Sequence, residues 1–212
     1  MNRYLTSLII VCVLLFSCKK EHPETNTQNT NSASKPFTTD YYGLSIGSYW
    51  VYNIYIVDTL NNSTFQNADS VWIKSDTVIR GNTYYAITGE SPLFFQSNAL
   101  MRDSSGWLVT NTGRIMCNNT GDTSIFSTTI DTGMDTIYDA MQSQNYSKTV
   151  PAGTFTCIDA RGTCKFYKGY LWGNPRYLYN FYSSGVGLVF ETNFYTSNPN
   201  HLEMRLVRYH IN

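Results

Sequence analysis

Hydrophobic side chains recur at every second position through much of this chain, which is the period of a β-strand. Ser48 to Val57 is rich in aromatic and β-branched residues and is apolar on both faces, which predicts a strand covered on both sides. Between Val71 and Ile79 the apolar residues alternate with polar ones such as Lys74 and Asp76. This second pattern also predicts a strand, with its apolar side chains on one face.

Clusters of Gly, Asn, Asp and Ser divide the apolar segments at the spacing of hairpins. Arg80 to Asn82 predicts a turn that leads into a strand from Thr83 to Thr88. Asp103 to Gly106 and Asn111 to Gly113 predict two further turns, each beside a short strand. The spacing of these turns indicates antiparallel strands that are neighbours in the chain.

The C-terminal part of the chain continues the strand pattern. Four of its apolar residues are predicted to share one face of a strand: Val186, Leu188, Phe190 and Phe194. Leu202, Met204 and Leu206 open a final strand in the same way. Only Ile137 to Gln144 has a pattern that one or two helical turns would satisfy. The fold class that follows is all-β, with antiparallel strands.

The N-terminus has a different pattern. Tyr4 to Phe16 is almost wholly apolar, but it is too short for a membrane-spanning helix, which needs about 20 residues. It matches the hydrophobic region of a secretory signal peptide. Leu15 stands three residues before Cys18 and the small Ser17 directly before it, which resembles the lipobox of bacterial lipoproteins. The resemblance implies a lipid on Cys18 and cleavage before it; the alternative is an ordinary signal peptide with an incidental cysteine.

This interpretation divides the chain into three parts. Residues 1–17 are a lipoprotein signal peptide, residues 18–36 are the lipidated Cys18 and a disordered tether, and residues 37–212 are a single β-rich domain. After its cysteine the tether contains no aromatic residue and is dominated by Thr, Asn, Gln and Ser, so it cannot offset the entropy of becoming ordered. Several acyl chains together anchor a protein stably. We therefore expect an outer-membrane lipoprotein, facing the periplasm or the cell surface.

Three motifs in the β-rich part resemble those of a known family. Gly47 begins the pattern Gly-x-x-Trp-x-Tyr, Val150 to Phe155 reads Val-Pro-Ala-Gly-Thr-Phe, and Gly185 to Val189 reads Gly-Val-Gly-Leu-Val. Together they are similar to an uncharacterised family of Bacteroidetes-type outer-membrane lipoproteins. The resemblance implies a half-open antiparallel β-barrel like that of the periplasmic lipoprotein carriers, with a β-sandwich as the alternative. It carries over no catalytic residue and no cofactor.

One motif suggests enzymatic chemistry. Asp131, Thr132 and Gly133 are similar to the active-site turn of retroviral-type aspartic proteases, in which two such aspartates share a proton and activate water. Met134 occupies a place where that family has a small residue. The favoured interpretation is a polar turn between two strands, and a retropepsin-like protease at Asp131 is a remote alternative.

The cysteines of the β-rich part are Cys117, Cys157 and Cys164. A tight hairpin loop at Asp159 to Gly162 would bring Cys157 and Cys164 face to face as a candidate disulfide. A single long strand from Phe155 to Tyr167 would point the two thiols to opposite faces and leave them free, and this is the favoured interpretation. Because no histidine lies nearby, the pair is a poor zinc site, and we predict no metal site.

A recurrent triplet points to covalent modification. Asp followed by Ser or Thr and then a methyl-bearing residue occurs at Asp58, Asp69, Asp76 and Asp135. The triplet resembles the acceptor motif for O-glycosylation of exported Bacteroidetes-type proteins. The residues it would modify are Thr59, Ser70, Thr77 and Thr136. The alternative is that Asp and Ser or Thr gather at strand ends for their turn chemistry.

Composition narrows the function further. The net charge is zero and only 14% of residues are charged, so no nucleic-acid partner is expected. With 17 Tyr and 11 Phe, the chain is predicted to be a non-catalytic envelope protein whose concave sheet binds an apolar or glycan ligand. The alternative for these aromatic residues is plain core packing. The alternative function is a structural or adaptor subunit of an outer-membrane complex, with an exposed apolar patch and no cavity.

Overall fold

Fourteen β-strands make up the regular structure of the computed structural model, which describes residues 41–89, 99–167 and 175–212. In chain order they are β1 (Tyr49–Val57), β2 (Ser63–Ile79), β3 (Asn82–Gly89), β4 (Ala99–Ser104), β5 (Trp107–Thr110), β6 (Ile115–Asn118), β7 (Ile125–Asp131), β8 (Asp135–Met141), β9 (Tyr146–Val150), β10 (Gly153–Phe166), β11 (Arg176–Leu178), β12 (Asn180–Ser183), β13 (Gly187–Phe194) and β14 (His201–His210). The signal peptide, Cys18 and the tether predicted for residues 1–36 lie outside the described residues.

All of these strands belong to one antiparallel sheet. Its order is β6-β5-β4-β3-β2-β1-β14-β13-β12-β10-β8-β7, and β9 and β11 both pair with β10. From β1 to β6 each strand pairs with the next one in the chain. The last strand, β14, returns to pair with the other edge of β1.

The sheet curls until its two ends approach each other. β6 comes close to β8, where the Asn118 N–H donates a hydrogen bond to Sδ of Met141 at 3.4 Å. The strands that end the sheet order are β6 and β7. The structure is therefore the half-open antiparallel barrel predicted from the sequence, and not a β-sandwich.

The inner face of the barrel holds the hydrophobic core. Alternate residues of neighbouring strands point inward and are almost completely buried. They include Tyr52, Ile54, Val71, Ile73, Met204 and Leu206. Their spacing of two along β1, β2 and β14 is the pattern that predicted strands.

The three motifs form hydrogen bonds that join distant strands of the barrel. Trp50 Nε1 donates a hydrogen bond to the carbonyl oxygen of Val186 at 2.6 Å, and the Tyr52 hydroxyl donates one to the carbonyl oxygen of Leu188 at 2.8 Å. The Ala152 N–H donates to the carbonyl oxygen of Leu206 at 3.0 Å. Each motif therefore satisfies buried polar groups that the strand ladders leave open.

Gly187 in the third motif is required by its surroundings. Its φ is +86°, and a Cβ atom placed there would lie 2.7 Å from the carbonyl oxygen of Tyr42. A side chain is disfavoured in this backbone conformation and would also collide with backbone. The glycine therefore lets the segment before β1 pass directly over the start of β13.

β8 corrects one expectation. Ile137 to Gln144 was expected to form one or two helical turns, but residues up to Met141 belong to a strand. β8 pairs with β7 on one side and with β10 on the other. These two ladders outweigh a weak local helical pattern, because strand formation depends strongly on its neighbours.

β10 is a single strand of 14 residues, as the favoured interpretation predicted. Cys157 lies in the part that pairs with β9 and β12, and Cys164 in the part that pairs with β8 and β11. The candidate Cys157–Cys164 disulfide is absent, and both thiols are free and buried. The strand holds the two residues about 23 Å apart along its axis, far beyond the reach of a disulfide.

A register shift in β13 corrects a second expectation. Phe181 pairs with Phe190, but the next residue, Tyr182, pairs with Leu188, so Val189 is an extra residue in the ladder. Such a bulge reverses the faces of the residues that follow it. Leu188 therefore lines the interior, whereas Phe190 and Phe194 point outward instead of sharing its face.

Candidate functional site

On the inner face of the barrel, the described residues enclose a small cavity. It measures about 30 Å³ and lies among inward side chains that include Trp50, Tyr52, Met101 and Leu188. This volume accommodates about one or two water molecules. This cavity is too small for a glycan or an acyl chain, and the ligand on the concave face stays a prediction.

A larger groove, of about 390 Å³, lies on the outer face of the sheet. Its volume falls within the range of small-ligand sites. Phe181 of β12, Phe190 of β13 and Glu203 of β14 belong to the floor strands, and Lys148 of β9 and Tyr179 after β11 stand at the sides. The other lining residues are Arg176, Tyr177, Thr192, Phe194 and His201.

The rings of the groove form a connected series. Tyr177, Tyr179 and Phe181 project from one face because they are spaced by two residues. The ring centroids of Tyr177 and Tyr179 are 6.3 Å apart, and those of Tyr179 and Phe181 are 6.0 Å apart with planes only 16° from parallel. Phe190 continues the series at 5.7 Å from Phe181. Tyr177 and Tyr179 were not among the site residues predicted from the sequence, although their period of two indicates that they share one face.

Arg161 holds the tyrosine side of the groove in place. Its guanidinium carbon lies 4.8 Å from the ring centroid of Tyr179 and 5.8 Å from that of Tyr177. Arg161 Nη2 pairs with Asp159 Oδ2 at 2.7 Å, and the Asp159 side chain is fully buried. Burial raises the pKa of Asp159, and the hydrogen bond and charge of Arg161 oppose that rise. The ion pair therefore holds the Arg161 guanidinium close to the rings of Tyr177 and Tyr179.

Arg176 shapes the opposite end of the groove. Its guanidinium donates hydrogen bonds to four carbonyl oxygens of the loop between β13 and β14, at 2.8 to 3.3 Å. The same group lies 4.4 Å from the ring centroid of Phe194. The planar fork of arginine suits such multiple bonding. Its donors are thus directed to the protein's own backbone.

Lys148 lies at the side of the groove, over the aromatic floor. Its Nζ is 3.2 Å from the ring centroid of Phe190 and 5.5 Å from that of Phe181. Burial lowers its pKa, and the charge of Glu203 acts in the opposite direction. Glu203 Oε2 itself is paired with Arg205 Nη2 at 2.5 Å, and Oε1 lies 3.3 Å from His201 Nε2.

Asp131, the candidate protease residue, forms part of a hairpin turn. It ends β7, is exposed, and its Oδ1 accepts a hydrogen bond from the Gly133 N–H at 3.0 Å. Asp135 is its cross-strand neighbour, but that side chain is buried and hydrogen-bonded to the thiol of Cys164. The geometry gives Asp131 the turn-forming role that the residue pattern favoured.

The four candidate glycosylation residues differ in exposure. Thr59 and Thr77 are exposed, whereas Ser70 is half-buried. Thr136 is 9% exposed, and its Oγ1 lies 3.3 Å from the Tyr167 hydroxyl. A modifying enzyme has direct access only to the first two in the folded protein.

Among the described residues there is neither a candidate metal site nor a candidate membrane-spanning helix. Within them, no group of three or more His, Cys, Asp or Glu side chains is placed to hold a metal ion. Across the same residues, no helix has the length and apolar character needed to cross a bilayer.

Comparison with known proteins identifies the fold. No protein-family model matches the chain, and no curated protein matches it. A Bacteroides fragilis protein inferred to be exported, with a YmcC-like fold, superimposes with a TM-score of 0.50 at 11% identity over 80% of this chain and 98% of its own. An inferred lipoprotein from Parabacteroides distasonis gives a TM-score of 0.48 at 15% identity over 81% of this chain and 99% of its own. The first likeness establishes a YmcC-like fold for this chain.

Proposed function

We propose that the protein is a lipid-anchored, non-catalytic protein of the bacterial cell envelope that binds a glycan in the outer groove. The observation that carries the proposal is the series of aromatic rings along a groove of about 390 Å³. Tyrosine and phenylalanine rings offer flat apolar surface, and the hydroxyl and charged groups beside them offer hydrogen bonds. A pyranose ring needs both, because it has an apolar C–H face and a polar rim.

The shape of the groove favours a glycan over an apolar chain. An acyl chain needs an enclosed cavity to leave water, and the inner cavity that the described residues enclose measures only about 30 Å³. The groove lies on the outer face, and Tyr177 at its side is 43% exposed. A sugar chain can lie along such an open surface while its hydroxyl groups remain hydrated.

The location in the envelope rests on separate support. Cys18 stands in a lipobox-like sequence, and the Bacteroides fragilis protein of the same fold is inferred to be exported. Lipid attachment at Cys18 would hold the domain at the outer membrane by its N-terminus, facing the periplasm or the cell surface. O-glycosylation is proposed for the exposed Thr59 and Thr77, and equal intact masses of the envelope and cytoplasmic forms would disprove it.

The test of the function is binding of a glycan panel to the full chain in mild detergent. Tyr177→Ala and Tyr179→Ala remove two rings of the groove, and we expect each to weaken binding about fivefold or more. Tyr49→Ala is the matched control, because Tyr49 is 39% exposed and stacks on His210 away from the groove. Equal binding by all three variants, or binding of fatty acids but no glycan, would contradict the proposal.

A structural or adaptor role is the second candidate, supported by the edge of the sheet. β7 ends the sheet order, and its Ile125 and Ile130 are 59% and 62% exposed. An exposed edge with apolar residues is suited to pairing with another protein. If this role holds, Ile130→Lys should abolish cross-linking to an outer-membrane partner in cells, and unchanged cross-linking would speak against it.

A further inference from the structure

We propose that the glycan bound in the groove is acidic, and that Lys148 pairs with its carboxylate. The inference rests on the proposed function and names the class of glycan. The inference follows from the charged side chains around the groove and from the interaction partners of each.

Lys148 has no carboxylate within ion-pair distance in the described part of the chain. The nearest acid that acts on it is Glu203, whose two oxygens already contact Arg205 and His201. Lys148 is also half-buried, so part of the hydration of its ammonium group is lost. A half-buried cation without an anion is costly, and an anionic ligand group would relieve that cost.

The other cations near the groove are already engaged. Arg161 is paired with the buried Asp159, and Arg205 with Glu203. Arg176 donates to four backbone carbonyl oxygens. Of the described cations around the groove, Lys148 is thus the one whose donors are not committed to the protein.

The aromatic floor covers one side of the Lys148 ammonium group, so a carboxylate would approach from the other side. The face of Phe190 takes up one side of the ammonium group, at 3.2 Å from the ring centroid. An ammonium group has three donors, so the remaining N–H bonds stay open to a ligand. A sugar ring packed against the partly exposed Tyr179 would place a carboxylate substituent within reach of them.

The experiment compares acidic tetrasaccharides with their methyl esters. Tetragalacturonate and a hyaluronan tetrasaccharide are each compared with their fully methyl-esterified form. The two forms differ only in charge and in one methyl group on each carboxyl. We expect the full chain to bind at least one acid about tenfold more tightly than its ester at low salt, since the ester cannot form an ion pair with Lys148. High salt should reduce the difference.

Variants assign that preference to one side chain. Lys148→Met should remove the preference, so that acid and ester bind about equally, and Lys148→Arg should retain it. Lys74→Met is the matched control, because Lys74 lies 4.9 Å from the Trp72 ring centroid on β2, outside the groove. It should leave the preference intact.

The outcomes separate this inference from the proposed function. Equal binding of acid and ester by the unaltered chain, or a preference that survives Lys148→Met, would overturn the acidic-glycan inference and leave glycan binding standing. Absence of binding to every sugar in the broader panel would overturn both. Should Lys148→Met not fold, the comparison of acid and ester on the unaltered chain still tests whether the glycan is acidic, and Lys148→Arg still tests the side chain.

Discussion

Glu191, on the inner face of the barrel, contributes to the pH dependence of stability. It pairs with Met204 across β13 and β14, so its side chain points toward the barrel interior. Burial raises the pKa of Glu191 well above its usual range, and the charge of Arg114 opposes the rise only in part. A glutamate in the unfolded chain loses its proton near pH 4.3, at about its ordinary pKa.

The first prediction concerns the sign of this effect. Above about pH 4.3 the folded state binds more protons at Glu191 than the unfolded state does, so the free energy of unfolding falls as pH rises. Glu191→Gln removes the titration and keeps the shape. We expect it to stabilise the protein at about pH 7.5 and to have little effect at about pH 4, measured by urea unfolding across pH.

Glu203→Gln is the control for that prediction, because the sign is opposite. Burial alone would raise the pKa of Glu203, but hydrogen bonds from His201 and Arg205 and the charges of Arg205 and Lys148 outweigh it and lower the pKa. Its contribution to stability is present above about pH 4.3 and is lost as pH falls through the folded-state pKa. A stability difference for Glu191→Gln that does not change with pH would contradict the assignment.

The element that most affects the site is β13. Its bulge at Val189 lets one strand supply Leu188 to the interior and Phe190 to the groove. Gly187 begins the strand where it passes beneath the carbonyl oxygen of Tyr42. The start of β13 thus sets the position of the aromatic floor.

The second prediction separates contact from backbone strain at this element. Gly187→Ala should destabilise the fold by roughly 3 kcal/mol, because the new Cβ would lie 2.7 Å from the carbonyl oxygen of Tyr42 at a φ of +86°. Gly185→Ala is the control, since Gly185 has a φ of +71° but no atom within 4 Å of an added Cβ. It should cost about 1 kcal/mol. Equal losses in thermal or urea unfolding would show that the contact is unimportant.

The strands themselves could be predicted from the sequence, but the outward residues of the groove could not. A period of two and Gly-rich turns predict β1, β3, β14 and the second half of β2, but not the register shifts in the ladders that join them. The bulge at Val189 depends on a register with β12 that no local pattern contains. Lys148 and Phe190 are 42 positions apart, and only the pairing of strands brings them together. The groove is therefore a property of the sheet order.

At the scale of the whole molecule, the predicted lipid anchor and the β-rich domain are expected to have different tasks. The anchor determines the location of the protein, and the domain binds the ligand. The described residues form the barrel and the groove, while Cys18 lies outside them. If the anchor only tethers the domain, its removal should change location and not folding.

The third prediction tests this separation. Labelled palmitate should enter the unaltered protein in its own bacterium and should not enter Cys18→Ala, which should leave the membrane fraction. The thermal unfolding midpoint of the domain should stay within about 2 °C. Cys117→Ala, which alters a buried thiol, is the control and should keep its label. Equal labelling of the Cys18 variant would disprove the anchor.

The pairing of β1 with β14 has a consequence for how the protein is made. The last strand, of 10 residues, ends two residues before the C-terminus and supplies His201 and Glu203 to the groove. While the chain is still emerging, β1 has only β2 beside it, and the floor of the groove lacks one of its strands. Pairs so distant in sequence form late and slowly. A ligand that needs this floor can therefore be captured only after β14 has been synthesised and has paired with β1 and β13.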